Sequence, residues 1–205
     1  MGIYAIKPKF QRALKPLENL FVALKIGPTG VNLLGFAMAA LGGIGIILSP
    51  RHPAWLIVTA IAVNARTACN ALDGLVARRL GVASNFGEVL NELIDRFSDA
   101  TLFICLYFLD VTNNTLALFT LVIILLNSFL SILSKAAGGS RRYNGIVGKA
   151  DRMIYMSTAA LAVLITSKQQ IWNGFLWFIL VTTTITFLQR FAATYHELPN
   201  PPRQT

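Results

Sequence analysis

The stretch Arg66-Thr-Ala-Cys-Asn70-Ala-Leu-Asp73-Gly74-Leu-Val-Ala77-Arg78-Arg79-Leu-Gly-Val-Ala-Ser-Asn-Phe-Gly87-Glu88-Val-Leu-Asn91-Glu92-Leu-Ile-Asp95-Arg96-Phe-Ser-Asp99 decides how this chain is read. Four of the nine acidic residues of the chain fall between Glu88 and Asp99, and a fifth is Asp73. The segments on either side are apolar enough to sit in a bilayer. Ionisable groups at membrane depth are costly, so they face one another and serve a function.

Composition sets the class. The 205 residues are 55% hydrophobic and 13% charged, with a mean hydropathy of +0.60. A soluble domain carries about 25% charged residues, so the chain reads as an integral membrane protein. Its net charge of +9 does not point to nucleic acid, because the basic residues sit in short connections between apolar spans. That pattern orients membrane proteins, and it also attracts anionic head groups or a phosphorylated substrate. Cys69 and Cys105 lie inside apolar spans and read as small core residues rather than a disulfide or metal site.

Working outward, residues 1–26 are basic, with Leu14, Leu17, Leu20, Phe21 and Leu24 at helical spacing and Lys9, Arg12, Lys15 and Lys25 between them. This reads as an amphipathic helix on the membrane surface, with Pro16 near its start, and not as a signal peptide. Spans are expected at 31–48, 54–72 (continuing as helix to 79), 86–109, 116–133, 153–165 and 172–191. The fold class is therefore an all-α integral membrane protein. Six transmembrane helices follow an N-terminal amphipathic surface helix. The whole of 1–205 forms one domain: the amphipathic segment 1–28, the membrane region 29–193 and a polar tail 194–205. Lys7, Lys9, Arg12, Lys15, Lys25, Arg78, Arg79, Lys135, Arg141, Arg142, Lys149, Arg152, Arg190 and Arg203 fall on one side, and Arg51 and Lys168 on the other. Fourteen against two places both termini and the polar helix ends in the cytoplasm. Trp172 and Trp177 read as interface anchors.

A hairpin turn near 82–83 brings Asn70 level with Asp95, Asp73 level with Asn91 or Glu92, and Arg66 level with Asp99. Asn70, Asp73 and Ala77 share one helix face; Gly87, Asn91, Asp95 and Asp99 form a stripe on the next helix. Two polar stripes meeting at the membrane boundary form an oxygen-rich cluster suited to Mg²⁺ or Mn²⁺, which in turn hold phosphates. Gly74 and Gly87 leave room for a ligand, and Arg78 is placed to meet a phosphate. Arg66 and Asp99 read as a charge-neutralising pair, and Glu92 and Arg96 as an ordinary i, i+4 helix pair. Arg79 reads as a topology signal.

This segment resembles the signature of the CDP-alcohol phosphotransferase (CDP-alcohol phosphatidyltransferase) family. The family pattern is Asp-x2-Asp-Gly-x2-Ala-Arg-x8-Gly-x3-Asp-x3-Asp. Here it stands as Asn70-x2-Asp73-Gly74-x2-Ala77-Arg78-x8-Gly87-x3-Asn91-x3-Asp95, every interval kept and Asn at the first and third acidic positions. The resemblance implies a phospholipid-synthesising transferase. It would move a substituted phosphate, phosphatidyl for a CDP-lipid donor, from a CDP-linked alcohol to an acceptor hydroxyl, releasing CMP.

The family's residues carry over as follows. The metal set becomes Asn70, Asp73, Asn91 and Asp95, with Asp95 the general base. The CDP site becomes Asp73, Gly74, Ala77, Arg78 and Gly87. Glu88 and Glu92 are candidate substitutes for the two missing carboxylates, without which the family's two-metal arrangement is harder to fill. Lys135, Arg142 and Arg152 are either topology signals or ligands of an acceptor or lipid phosphate. A homodimer is implied by the resemblance alone. The alternative reading is a catalytically impaired relative that binds lipid or nucleotide.

Overall fold

The computed structural model describes residues 12–198; Lys7 and Lys9 of the expected surface helix and Arg203 of the tail lie outside them. Seven helices are described in full: α1 (Lys15–Ala23), α2 (Pro28–Leu48), α3 (Trp55–Arg79), α4 (Asn85–Tyr107), α5 (Asn114–Ala136), α6 (Lys149–Thr166) and α7 (Ile171–Glu197). No strand occurs among the described residues.

Local chemistry sets the boundaries. Pro28 opens α2, where its missing N–H is not needed. Gly81, at φ +68°, lets the chain reverse after α3. Ser84 caps α4 by accepting the Gly87 N–H at 3.0 Å, and Asn113 caps α5 by accepting the Leu116 N–H at 3.0 Å. At the start of α6 the Asp151 carboxylate accepts the Gly148 N–H at 2.7 Å, so Asp151 sits where an acid suits a helix N-terminus.

α2 is the central support. It packs on both α3 and α4, which make little direct backbone contact with each other. α6 packs on α3 and α7, while α5 packs on α4 and α7. The core joins Ile46, Val63, Leu102, Phe103, Met156 and Leu176 in one apolar cluster. Small residues on α2 let α3 approach: a Cβ at Gly35 would stand 3.1 Å from that of Cys69. α1 docks Leu14 and Phe21 against Val31, Leu72 and Val76, leaving Leu17, Leu20 and Leu24 exposed.

α2, α3, α5 and α7 are long and apolar enough to cross a membrane. α4 and α6 lie where the third and fifth spans were expected, but each carries a cluster of charges in its first turns. The outward faces of the crossing helices are apolar, with Ile61, Phe119, Phe129 and Val181 exposed, as lipid requires. Two expectations are corrected. Trp172 is fully buried, edge-on to Phe175 in the core, and is no interface anchor; Trp177 is exposed. Arg96 pairs with Asp99 at 3.6 Å and not with Glu92, because Arg141 arrives from the loop before α6 and takes Glu92.

Candidate active site

The charged ends of α3, α4 and α6 meet at one end of the bundle. Because α3 and α4 both lean on α2 rather than on each other, a gap opens between them that long side chains must bridge. Asn70 Nδ2 donates to Asp95 Oδ1 at 2.8 Å across the hairpin, at the register the turn predicted. Arg66 lies 3.2 Å from Asp95 and 3.4 Å from Asp99, so the predicted Arg66–Asp99 pair is present and extends to a second carboxylate. Arg152 reaches the other oxygen of Asp99 at 3.0 Å. Lys149 forms a direct ion pair with Asp95 Oδ2 and stands 3.9 Å from Glu92.

This network is buried. Arg66, Asp95, Asp99 and Arg152 are each at most 3% exposed. Buried charges persist only when paired and hydrogen-bonded, and here each carboxylate is shared by two or three cations. Above the network opens a cavity of about 290 Å³, lined on one side by Asn70, Asn91 and Glu92 and on the other by the loop before α6. Six cationic side chains line it (Arg96, Arg141, Arg142, Lys149, Arg152 and Arg190) against two carboxylates, Glu92 and Asp151. The cavity thus favours an anion. Arg96 and Arg152 each keep a buried Nε donor with no hydrogen-bond partner, on side chains that line it.

The other predicted residues are placed as follows. Asp73 is buried, accepts the Gly74 N–H and has the Asn32 side chain beside it. Gly74 and Ala77 are half-buried on the same helix; a Cβ at Gly74 would lie 3.4 Å from the Arg78 guanidinium. Arg78 is exposed, and its side chain makes no hydrogen bond or ion pair among the described residues. Gly87 is exposed in the first turn of α4. Glu88 receives Lys135 at 2.7 Å and Arg141 at 3.1 Å, and Glu92 is held by Arg141. Both acids are therefore engaged by Arg141 of the loop, and Glu88 also by Lys135 at the end of α5. Arg142 pairs with Glu197 and donates to the Ala193 carbonyl at 2.6 Å, tying the loop to α7.

Sequence reasoning passed over Asn32, Arg141, Lys149 and Arg190 as site residues. Lys149 and Arg152 are three apart at the start of α6, a spacing that puts both on one helix face. That signal was available, whereas Asn32 and Arg190 come from distant elements with no local mark.

The donor set can be tested against a divalent cation. Asn91 Oδ1 is buried without a hydrogen-bond partner, and Asp73 accepts from a backbone N–H and an amide, with Asp95 and Lys149 near enough to act on it electrostatically. Such oxygens suit a hard cation. Asp95 differs: Arg66 and Asn70 occupy one oxygen and Lys149 the other. No cluster of three or more His, Cys, Asp or Glu side chains suited to a metal is found among the described residues. Asp73 and the Asn91 amide oxygen are thus site oxygens that no ion pair engages among the described residues.

Comparison with known proteins follows the same line. The family described as CDP-alcohol phosphatidyltransferase matches residues 30–186. Inner membrane protein YnbA of Escherichia coli (strain K12) is 32% identical, covering 87% of this chain and 89% of that protein. Archaetidylinositol phosphate synthase of Pyrococcus horikoshii is 28% identical, covering 90% and 92%. The solved phosphatidylinositol phosphate synthase of Mycobacterium tuberculosis (PgsA1) shares the fold. Its form with CDP-DAG bound gives a TM-score of 0.76 at 23% identity, covering 95% of this chain and 99% of that one. Its complex with manganese and citrate gives 0.76 at 22% identity, covering 93% and 92%. The chain belongs to the CDP-alcohol phosphatidyltransferase family.

Proposed function

We propose that this CDP-alcohol phosphatidyltransferase moves a phosphatidyl group from a CDP-linked lipid to the hydroxyl of a phosphorylated alcohol, releasing CMP. The observation that carries the reading is the buried Asp95 carboxylate held by Asn70 and Lys149, two residues that line a cation-rich cavity. The relative solved with CDP-DAG supports the donor. The names of relatives that end in inositol phosphate synthase support a phosphate-bearing acceptor.

In this reading Asp95 accepts the proton of the acceptor hydroxyl. The hydroxyl oxygen bonds to the phosphorus that carries the lipid, and the bond from that phosphorus to the CMP phosphate oxygen breaks. Arg66 and Asn70 hold Asp95 in place from the neighbouring helix. Arg78 meets the pyrophosphate, beside the low wall left by Gly74, Ala77 and Gly87. Arg96, Arg142 and Arg152 receive the acceptor's phosphate, with the two unpartnered Nε donors pointing to that role. Lys135 reaches the site only through Glu88. Positioning and charge neutralisation carry most of such a transfer.

A divalent ion, Mg²⁺ or Mn²⁺, would be held by Asp73 with the amide oxygens of Asn70 and Asn91, and by Asp95 at its margin. When bound it neutralises pyrophosphate charge. The manganese complex of the M. tuberculosis relative supports this choice. The wider picture is six spans with α1 on the membrane surface, site and termini facing the cytoplasm, and a homodimer.

One observation favours a second reading, a lipid- or nucleotide-binding relative without turnover: both oxygens of Asp95 are engaged by protein donors. The test is CMP release by the purified protein in vesicles. CDP-diacylglycerol is supplied with inositol phosphate, glycerol phosphate or unphosphorylated alcohols, and with Mn²⁺, Mg²⁺ or EDTA. Metal-dependent CMP release with a phosphorylated acceptor is expected. Metal-dependent binding of CDP-diacylglycerol with no CMP under any condition would establish the binding protein instead.

A further inference from the structure

Asn70 and Asn91 remove two negative charges from the oxygen set around Asp95, and the structure places a fixed positive charge beside what remains. We propose that the Lys149 ammonium is the resident cation at the Asp95 end of the site, standing where a second divalent ion would otherwise bind. The inference rests on the reading above, since it concerns the same site and its metal.

Three observations carry it. Lys149 contacts Asp95 Oδ2 directly and stands 3.9 Å from Glu92 Oε1, so it lies beside two carboxylates of α4. Its position is set locally: it is the first residue of α6, and Asp151 pins the preceding Gly148 N–H at 2.7 Å. The charges point the same way. Arg66 and Lys149 already meet Asp95, and Arg141 already meets Glu92, so a second divalent ion at Asp95 would add two positive charges in a pocket already lined by Arg96, Arg141 and Arg152.

An ammonium has donors but no open coordination position. Lys149 is therefore a positioning residue. It orients Asp95 and discharges the site without touching substrate through a metal shell, and it holds Asp95 in place before any divalent ion arrives.

The test is a count of bound Mn²⁺ on the purified full chain, read from the loss of the free-ion electron paramagnetic resonance signal. The unaltered protein and Lys149→Arg are expected to bind one Mn²⁺ per chain. Lys149→Gln, checked for a native melting curve, is expected to bind two, because Asp95 Oδ2 is released from its cation. Asn91→Asp adds a carboxylate but keeps the ammonium and is expected to stay at one. Two Mn²⁺ on the unaltered chain or on Asn91→Asp, or one on a folded Lys149→Gln, overturns the proposal. Metal-dependent CMP release alongside two bound Mn²⁺ would sink this inference alone. No bound Mn²⁺ and no metal effect on CMP release would remove the metal reading of the site as well.

Discussion

The Arg152 guanidinium lies 3.0 Å from Asp99 Oδ2, both groups out of contact with solvent. Arg66 and Arg96 converge on the same carboxylate at 3.4 and 3.6 Å. One buried anion therefore meets guanidiniums from α3, α4 and α6, and it ties together three helices on which the cavity is built. Removing one partner of a buried pair costs about 3–5 kcal/mol, because the other is left uncompensated. Asp99→Ala is expected to destabilise the protein by roughly that amount in a detergent melt. Arg152→Met combined with Asp99→Leu should not restore it, since Arg66 and Arg96 stay unmatched; full recovery would mean Asp99 serves Arg152 alone.

Asp95→Asn tests the proton acceptor. Removing a general base lowers the rate by about 10²–10⁴-fold, and CMP release should fall within that range. The melting temperature should fall as well, because one amide oxygen cannot accept from both Arg66 and Lys149, so the rate is compared on protein that retains its helical circular dichroism. An unchanged rate would take Asp95 out of the chemistry.

The acceptor phosphate is assigned to the cavity cations. A hydrogen bond to a charged group is worth about 1.5–3 kcal/mol, or about 10–100-fold in affinity. Arg96→Gln should raise KM for a phosphorylated acceptor by about that factor, with KM for CDP-diacylglycerol unchanged. Equal rises in both constants would move Arg96 to the donor side.

Metal removal separates fold from chemistry. EDTA should abolish CMP release while leaving the helical circular dichroism intact, because α3 and α4 are supported by α2 and by the ion pairs rather than by a metal. Added Mn²⁺ or Mg²⁺ should restore the rate. Turnover that persists in EDTA would place all charge neutralisation on the side chains.

Gly145 sets the loop that carries Arg141 and Arg142. Its φ is +127°, and a Cβ there would overlap the Thr186 side chain. Thr186 Oγ1 also accepts the N–H groups of Ile146 and Val147 at 3.1 and 3.2 Å. Gly145→Ala should cost about 1–3 kcal/mol and raise KM for the acceptor, since the loop must move away from α7. A wild-type melt would show that the loop tolerates a side chain.

What was legible in the sequence was whatever follows from periodicity and spacing. Apolar runs located the helices to within a few residues, because length and hydropathy are local properties. A single turn between two helices fixed the register that set Asn70 against Asp95 and Arg66 against Asp99. The motif spacing led to the family that the comparison with known proteins shows. The tertiary structure alone decided the other cation–carboxylate pairs. Glu92 was read against Arg96, its neighbour on the helix, yet it pairs with Arg141 from a loop 49 residues on. Trp172 was read as facing the membrane interface and is buried. Lys149 was one basic residue among five in its loop until α6 carried it onto Asp95. Charges in a low-dielectric interior take their best-placed partner wherever the chain brings it, and that choice depends on how α6 and its loop fold back over α3 and α4.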